Sequence, residues 1–453
     1  MFSTKFRRTS KKFRIIMNKN SRLFISGKYN NDCEVFTTNI ESEAVNLIQE
    51  IVDNPCFEGV PIRIMPDVHA GKGIVIGFTA PLTKMINPNY VGVDIGCRIS
   101  FCRFNSKVNE GDFERIERMI RKEIPFGTNI NNSMRFEMKD FIRFMRNGYN
   151  SLMNSWDGMI DNNDISEDFF SKMCQRLHIS EKVFYNSIGT VGGGNHFIEI
   201  GRDKNDCYTL AVHCGSRNFG LKVCNYWEKI SNHNGIDKKK FRAIVENIRN
   251  NTENKSEIPR LIEEAKNNLE RSSTPSGFLM GEDMRGYMSD MAIAQLYAEY
   301  NHKVIINIIS EIFKTINGGT IIDSFASTHN YIDYEDHMIR KGAIRSHYGE
   351  KMVIPFNMRD GIAICVGNGN SDWNKSAPHG CGRLYSRTEA RRRLSMANFK
   401  NQMKDVFSTS VCESTIDEAP DAYKSMDEIL RLIEPTCTVE EMIPPIINIK
   451  AKD

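Results

Sequence analysis

Apolar and polar positions in this chain follow two periods that change places several times. In "IESEAVNLIQEIVDNP" the residues Ala44, Leu47, Ile48, Ile51 and Val52 recur at three- and four-residue spacing, which predicts a helix with one buried face, closed by Pro55. Short apolar runs bounded by Gly, Pro or Asp follow: "VPIRIMPD", "GIVIGFTAPL", "YVGVDIG" and "RISFCRF". These predict strands. Helical spacing returns at Phe113, Ile116, Met119 and Ile120, and strand patterning at "HFIEIG" and "CYTLAVHCG". Residues from roughly 220 to 315 read as mostly helical, ending in the periodic run "YMSDMAIAQLYAEYNHKVIINIISEIF". Inside that region "NNTENKSEIPRLIEEAKNNLERSSTPSG" is polar and is expected to be a surface excursion. From about residue 319 strands resume, with a hairpin expected at "GAIRSHYGEKMVIPF", and the chain returns to helices after His379. No low-complexity linker or internal repeat divides it, and strands and helices do not alternate strictly. The expected fold is one large α+β domain over 21–453, with mixed sheets and helical insertions.

Composition narrows this picture only in places. The 453 residues carry a formal net charge of +3 with 26% charged side chains, so a polyanionic partner would have to be met by a local patch. The opening "MFSTKFRRTSKKFRIIMNK" precedes the first acidic residue, Asp32, and reads as a basic leader over 1–20 that is expected to be disordered. A targeting segment, a nucleic-acid arm, or sequence upstream of a start at Met17 are the alternatives. No apolar run reaches the length of a bilayer and no signal-peptide core is visible, so a soluble, cytoplasmic protein is expected. Twelve scattered cysteines without a CxxC pair fit reduced thiols, so a cysteine with a role is more readily a ligand than half of a disulfide.

Candidate chemistry gathers in Gly-rich or polar turns at strand ends: His69 in "MPDVHAGKG", His196 in "VGGGNHFIE", His213 in "AVHCGSRNFG", His329 in "ASTHNYID" and His379 in "NKSAPHGCGRLYSR". Asp94 and Cys97 of "VGVDIGCR" complete a set that resembles a metal site. Mixed carboxylate, thiolate and imidazole donors suit Mn²⁺ or Zn²⁺ better than Mg²⁺ or Ca²⁺, and a thiolate can bridge two cations. His379, after a proline and ahead of two glycines, is placed to react, to ligate, or merely to cap a helix. Neither GxxxxGK[ST] nor a strand followed by GxGxxG occurs, and the string nearest KxDG is "MRDG", with Met358 in the lysine position. Arg383, Arg387 and Arg391 follow at steps of four, which on a helix makes a basic stripe for phosphate or a solvated face.

Taken in order, "MPDVHAGKG", "VGVDIGC", "GGGNHFIE", "VHCGSR", "HNY", "RKGA" and "HGCGRLYSR" resemble the RtcB family of GTP-dependent RNA ligases, from about residue 60 to the terminal "INIKAKD". The resemblance implies an RtcB-like fold and an enzyme of RNA repair or tRNA splicing. Such an enzyme joins RNA 3′-phosphate or 2′,3′-cyclic phosphate ends to 5′-hydroxyl ends, through a guanylylated histidine and an RNA-3′-pp-5′-G intermediate. It implies GTP and two Mn²⁺ per chain, and leaves open whether an archease-like activator is required. Carried over by motif, His379 is the nucleophile, Cys97 bridges the ions, His213 and His329 complete one site, and Asp94 and His196 the other. GTP would be met by Asn195, His196, Phe197, Ile198, Glu199, His329, Asn330, Pro355, Phe356, Asn357, Met358, Gly380, Cys381, Gly382, Tyr423 and Lys450, and RNA by Arg217, Arg383 and Arg387. Two departures mark a divergent, bacterial-type branch: "IPFNMRDG" where many members read IPGSMG, and Cys381 where alanine is usual. The rival readings are a dinuclear metal phosphoesterase and a non-catalytic RNA-end-binding protein.

Overall fold

A computed structural model describes residues 14–17, 22–156, 158–233, 238–252, 254–268 and 277–452. Most of the expected leader therefore lies outside the described residues. Within it Arg14–Met17 is described, pairing antiparallel with the strand Leu23–Ser26.

Four sheets and a set of helices make an α+β fold among the described residues. The largest sheet has seven strands and places Ile62–His69 beside Ile76–Pro81. A five-stranded antiparallel sheet runs in the order Pro445–Ile449, Phe197–Arg202, Cys207–Cys214, Arg98–Lys107, Ile321–Thr328. Alternation along its strands gives it two apolar faces. Ile198, Ile200, Leu210 and Val212 pack with Ile305, Ile309 and Phe313 of the helix Gly281–Asn317. Ile99, Phe101, Phe197 and Ala211 pack instead with Val353, Ile362, Ile364 and Ile443 of a three-stranded sheet.

The 281–317 helix is the spine. Its 37 residues span about 56 Å at roughly 1.5 Å per residue. Glu282 and Asp283 in its first turn complement the helix dipole, and Gly318, at φ +72°, ends it. Packing is close enough that a Cβ at Gly148 would come within 2.5 Å of Leu296 Cδ2. The polar excursion contains the short helix Ile258–Asn268, whose described side chains are exposed or half-buried, none of them buried. Among the described residues no helix is long and apolar enough to cross a membrane.

Two local expectations fail. "YVGVDIG" is a succession of turns rather than a strand, because Gly92 (φ +90°) and Gly96 (φ +72°) turn the chain where a strand must stay extended. The hairpin at "GAIRSHYGEKMVIPF" also does not form. Ala343–Arg345 pairs with Ser376–Pro378, whereas Lys351–Pro355 pairs with Ile362–Gly367. The intervening turn diverges between two sheets, held by Ser346 Oγ donating to the Thr436 carbonyl. The chain after His379 is helical as expected, but it ends in two strands that the pattern did not reveal, Cys437–Ile443 and Pro445–Ile449.

Candidate metal and nucleotide site

Antiparallel pairing brings the beginning of two strands and the end of two others to one edge of the five-stranded sheet. Arg98 lies opposite both Cys214 and Thr328, and Phe197 opposite His213. Cys97, His196, His213 and His329 consequently meet. Cys97 Sγ is 3.4 Å from His196 Nε2 and 3.3 Å from His213 Nε2, and His213 Nε2 is 3.3 Å from His329 Nε2. Asp94 Oδ2 joins from the preceding turn, 2.8 Å from His196 Nε2. The donor atoms of Cys97, His196 and His213 all lie within 4.8 Å of one another.

The electrostatics of this cluster suit a cation. His213 donates from Nδ1 to the Asn195 carbonyl at 3.2 Å, which leaves Nε2 as the lone-pair nitrogen. Burial and neighbouring imidazoles hold His213 and His329 well below the ordinary histidine range, so both are neutral. Burial and the Asp94 carboxylate push the Cys97 thiol up, so a positive ion is what would draw its proton off. Burial would raise Asp94, but His196 and the hydrogen bonds around it hold the carboxyl at about 2. Backbone approaches as closely as glycine permits: a Cβ at Gly215 would lie 2.0 Å from Asp94 Oδ1, and one at Gly192 would lie 2.1 Å from His196 Nδ1. Imidazole nitrogens, a sulfur and a carboxylate converging at these distances fit a soft-to-borderline divalent ion.

His379 stands beside this cluster, its ring centroid 4.8 Å from that of His329. Its Nδ1 donates to Asp67 Oδ2 at 2.7 Å, which directs Nε2 away from that carboxylate. Asp67 is fully buried and held from both sides. Lys424 Nζ donates to the carbonyls of Asn39, Pro66 and Val68, and Gly382, at φ +74°, lets the chain pass where a Cβ would lie 2.1 Å from the Asp67 carbonyl oxygen. Gly382, three residues after His379, therefore serves close packing on Asp67.

A cavity of about 480 Å³ opens in front of His379. Of the residues expected around a nucleotide, Asn195, Phe197, Glu199, Pro355, Phe356, Asn357, Met358, Gly380, Cys381, Gly382, Tyr423 and Lys450 line it. Ile198 does not: strand alternation turns it into the core with Val212 and Ile449. Asn330 also lies outside the lining and accepts from Gly342 N. Glu199 is pushed up to about 8 by burial, and Asn448 Nδ2 donates to it at 2.9 Å, so near neutrality it is a protonated carboxyl. Lys450 Nζ lies over the Phe197 ring and donates to the Asn195 carbonyl at 3.2 Å. In the departing "IPFNMRDG" loop, Asn357 Oδ1 accepts from the backbone of Arg359 and Asp360, closing the turn, while Phe356 and Met358 are buried.

The arginines are arranged differently from expectation. Helix begins only at Arg387, after Ser386 caps it, so Arg383 is not part of a helical stripe. All three arginines instead converge on two buried carboxylates. Arg383 donates to Glu418, Arg387 to both Asp417 and Glu418, and Arg391 to Asp417. Glu418 also accepts from Tyr423 and from Lys450, at 2.6 and 3.0 Å. Burial opposes its charge, but Lys450, Arg387 and Arg383 hold its carboxyl far below the usual range. Arg383 and Arg387 line the cavity, whereas Arg217 lies by the cluster, with Nε donating to Thr190 Oγ1 and Nη2 to the Gly127 carbonyl.

Sequence reasoning missed Asp67, Glu418 and Asn448. Asp67 sits in the same motif as His69, and that motif was its only signal.

A buried thiol–imidazole cluster that could hold a metal ion thus lies beside a carboxylate-held histidine, at the head of a cavity lined by Arg383, Arg387 and Lys450. Residues 52–451 match the family described as RtcB, tRNA-splicing ligase RtcB, and the chain belongs to that family. It is 26% identical over 407 residues to the RNA-splicing ligase RtcB of Escherichia coli K12, covering 84% of this chain and 89% of that one. It is 23% identical over 455 residues to the tRNA-splicing ligase RtcB of Archaeoglobus fulgidus, covering 87% and 88%. To that of Nanoarchaeum equitans it is 22% identical over 475 residues, covering 92% and 91%.

Proposed function

We propose that this chain is an RNA ligase that uses GTP and two Mn²⁺ to join RNA 3′-phosphate or 2′,3′-cyclic phosphate ends to 5′-hydroxyl ends. The observation that carries the reading is the His379 to Asp67 contact, which holds one imidazole nitrogen and leaves the other for a phosphorus atom. His379 Nε2 attacks the α-phosphate of GTP, the bond to the β-phosphate breaks, and pyrophosphate leaves with the electron pair. Asp67 steadies the positive charge that then develops on the ring.

Cys97, Asp94, His196, His213 and His329 would hold the cations, which supply charge neutralisation at the phosphates. Phe197, Glu199 and Lys450 offer the base an aromatic face, a neutral carboxyl and an ammonium. Arg383 and Arg387, with Arg217 nearer the cluster, would meet RNA phosphates. The guanylyl group passes to the RNA 3′-phosphate, and the 5′-hydroxyl displaces GMP from it.

A dinuclear phosphoesterase would employ the same donors to activate water but would leave the Asp67-held histidine without a purpose. Twelve free cysteines suit a reducing compartment such as the cytoplasm. An archease-like activator is part of the same reading, and turnover measured with and without one tests it. The decisive experiment is incubation with α-labelled GTP and Mn²⁺. Wild-type protein should acquire acid-labile label, and His379→Ala should keep its metal and acquire none. Equal labelling of the two would refute the assignment.

A further inference from the structure

His69 has no part in the mechanism above, yet the same residue that holds the nucleophile holds it. Asp67 offers its carboxylate to His379 Nδ1 at 2.7 Å and its main-chain carbonyl to His69 Nδ1 at 2.9 Å. Because the carbonyl can only accept, His69 Nδ1 carries the proton and Nε2 carries the lone pair. Both rings border the same cavity, and among the described residues no protein group meets His69 Nε2. Asp67 therefore presents two imidazoles of one tautomer to one substrate space.

We propose that His69 Nε2 is the proton acceptor for the RNA 5′-hydroxyl in the joining step, an inference that rests on the ligase reading. The 5′-oxygen forms its bond to the 3′-phosphorus, the hydroxyl proton passes to His69 Nε2, and the bond to the guanylyl phosphate breaks with its electron pair leaving on GMP. No further reactant is needed.

The surroundings favour this role. Burial, with smaller contributions from His379 and Lys424 set against Asp67, pulls His69 down to about 4, so the ring is neutral and its lone pair free across the physiological range. An incoming phosphate brings negative charge that raises its basicity as the hydroxyl arrives. The nearby carboxylates are less suited. Glu41 already accepts from Ala70 N, and Glu43 is exposed to solvent.

The test separates guanylylation from joining in the Mn²⁺-loaded enzyme. His69→Asn keeps an amide donor for the Asp67 carbonyl but lacks the distal nitrogen, and His69→Gln serves as a second variant. Label uptake from GTP should stay within a few-fold of wild type for both. Joining of RNA whose 3′-phosphate already carries GMP should fall by about 100-fold or more, in the range of a lost general base. Joining of that RNA at near wild-type rate would overturn the proposal. So would equal loss of labelling and joining in both variants, which would mark His69 as a support for Asp67 alone. If wild-type protein neither takes label nor joins ends, the ligase reading itself falls, and this inference with it.

Discussion

The two halves of the site handle charge in opposite ways. At the strand-end cluster, neutral imidazole nitrogens and a thiol face one another with no cation among them, and His196 Nδ1 and His329 Nδ1 are buried without partners. Across the cavity, Arg383, Arg387, Arg391 and Lys450 share only two carboxylates, Asp417 and Glu418. Nε2 and sulfur lone pairs crowded this closely repel one another, so the first half is one that could hold a cation. The second half keeps two more cations than carboxylates among these residues, an excess that suits an RNA or nucleotide phosphate.

The sharpest way to break this contrast is Cys97→Ala, which removes the sulfur lying between two imidazoles. Metal analysis should show the bound ions lost and guanylylation reduced to background; two tightly held Mn²⁺ per chain would contradict the shared-ligand arrangement. Asp67→Asn should leave metal content intact and slow guanylylation by about 1,000-fold, since the amide can present the wrong hydrogen-bonding edge to His379.

Glu418→Gln probes the cation-rich half. Leaving Arg383, Arg387 and Lys450 without their common anion should cost about 3 kcal/mol in denaturant titration at pH 7. The folded carboxyl is depressed, so its contribution is complete above the unfolded value. The gap between wild type and variant should therefore narrow as the pH falls below about 4. Arg391→Ala should do least. Its side chain is 56% exposed, and the pair with Asp417 should be worth less than about 1 kcal/mol, with RNA joining altered no more than a few-fold.

How much of this was readable in advance follows from how local each signal is. Asp94, Cys97, His196, His213 and His329 announce themselves because each lies in or next to a short polar or Gly-rich turn at the end of an apolar strand, and such ends meet when antiparallel strands pair. The long helix was equally plain from its period. Asp67 and His379 stand 312 positions apart, and no periodicity links them. Glu418 is harder still: its role depends on cations supplied by segments before and after it, which only the folded chain assembles. Reading Arg383, Arg387 and Arg391 as one stripe failed for a smaller reason. Steps of four mean a common face only where the backbone is helical, and at Arg383 it is not.

The middle of the 281–317 helix sets a clock for the cluster. Asn301 receives the backbone N–H groups of Gly189 and Thr190 and donates to the carbonyls of Thr190 and Gly215, while His302 donates to the Cys214 carbonyl and faces Ser100 Oγ. The turns on either side of His196 and His213 are thus tied to a fully buried stretch of the helix. Exposing the donor atoms by local opening would require that segment to open too, and such events sit near the slow end of the native-state spectrum. Backbone amides at Thr190 and Asn301 should accordingly exchange with solvent on the time scale of global unfolding. Metal drawn out by excess chelator should leave at a rate that saturates, set by the protein's own opening rather than by the chelator.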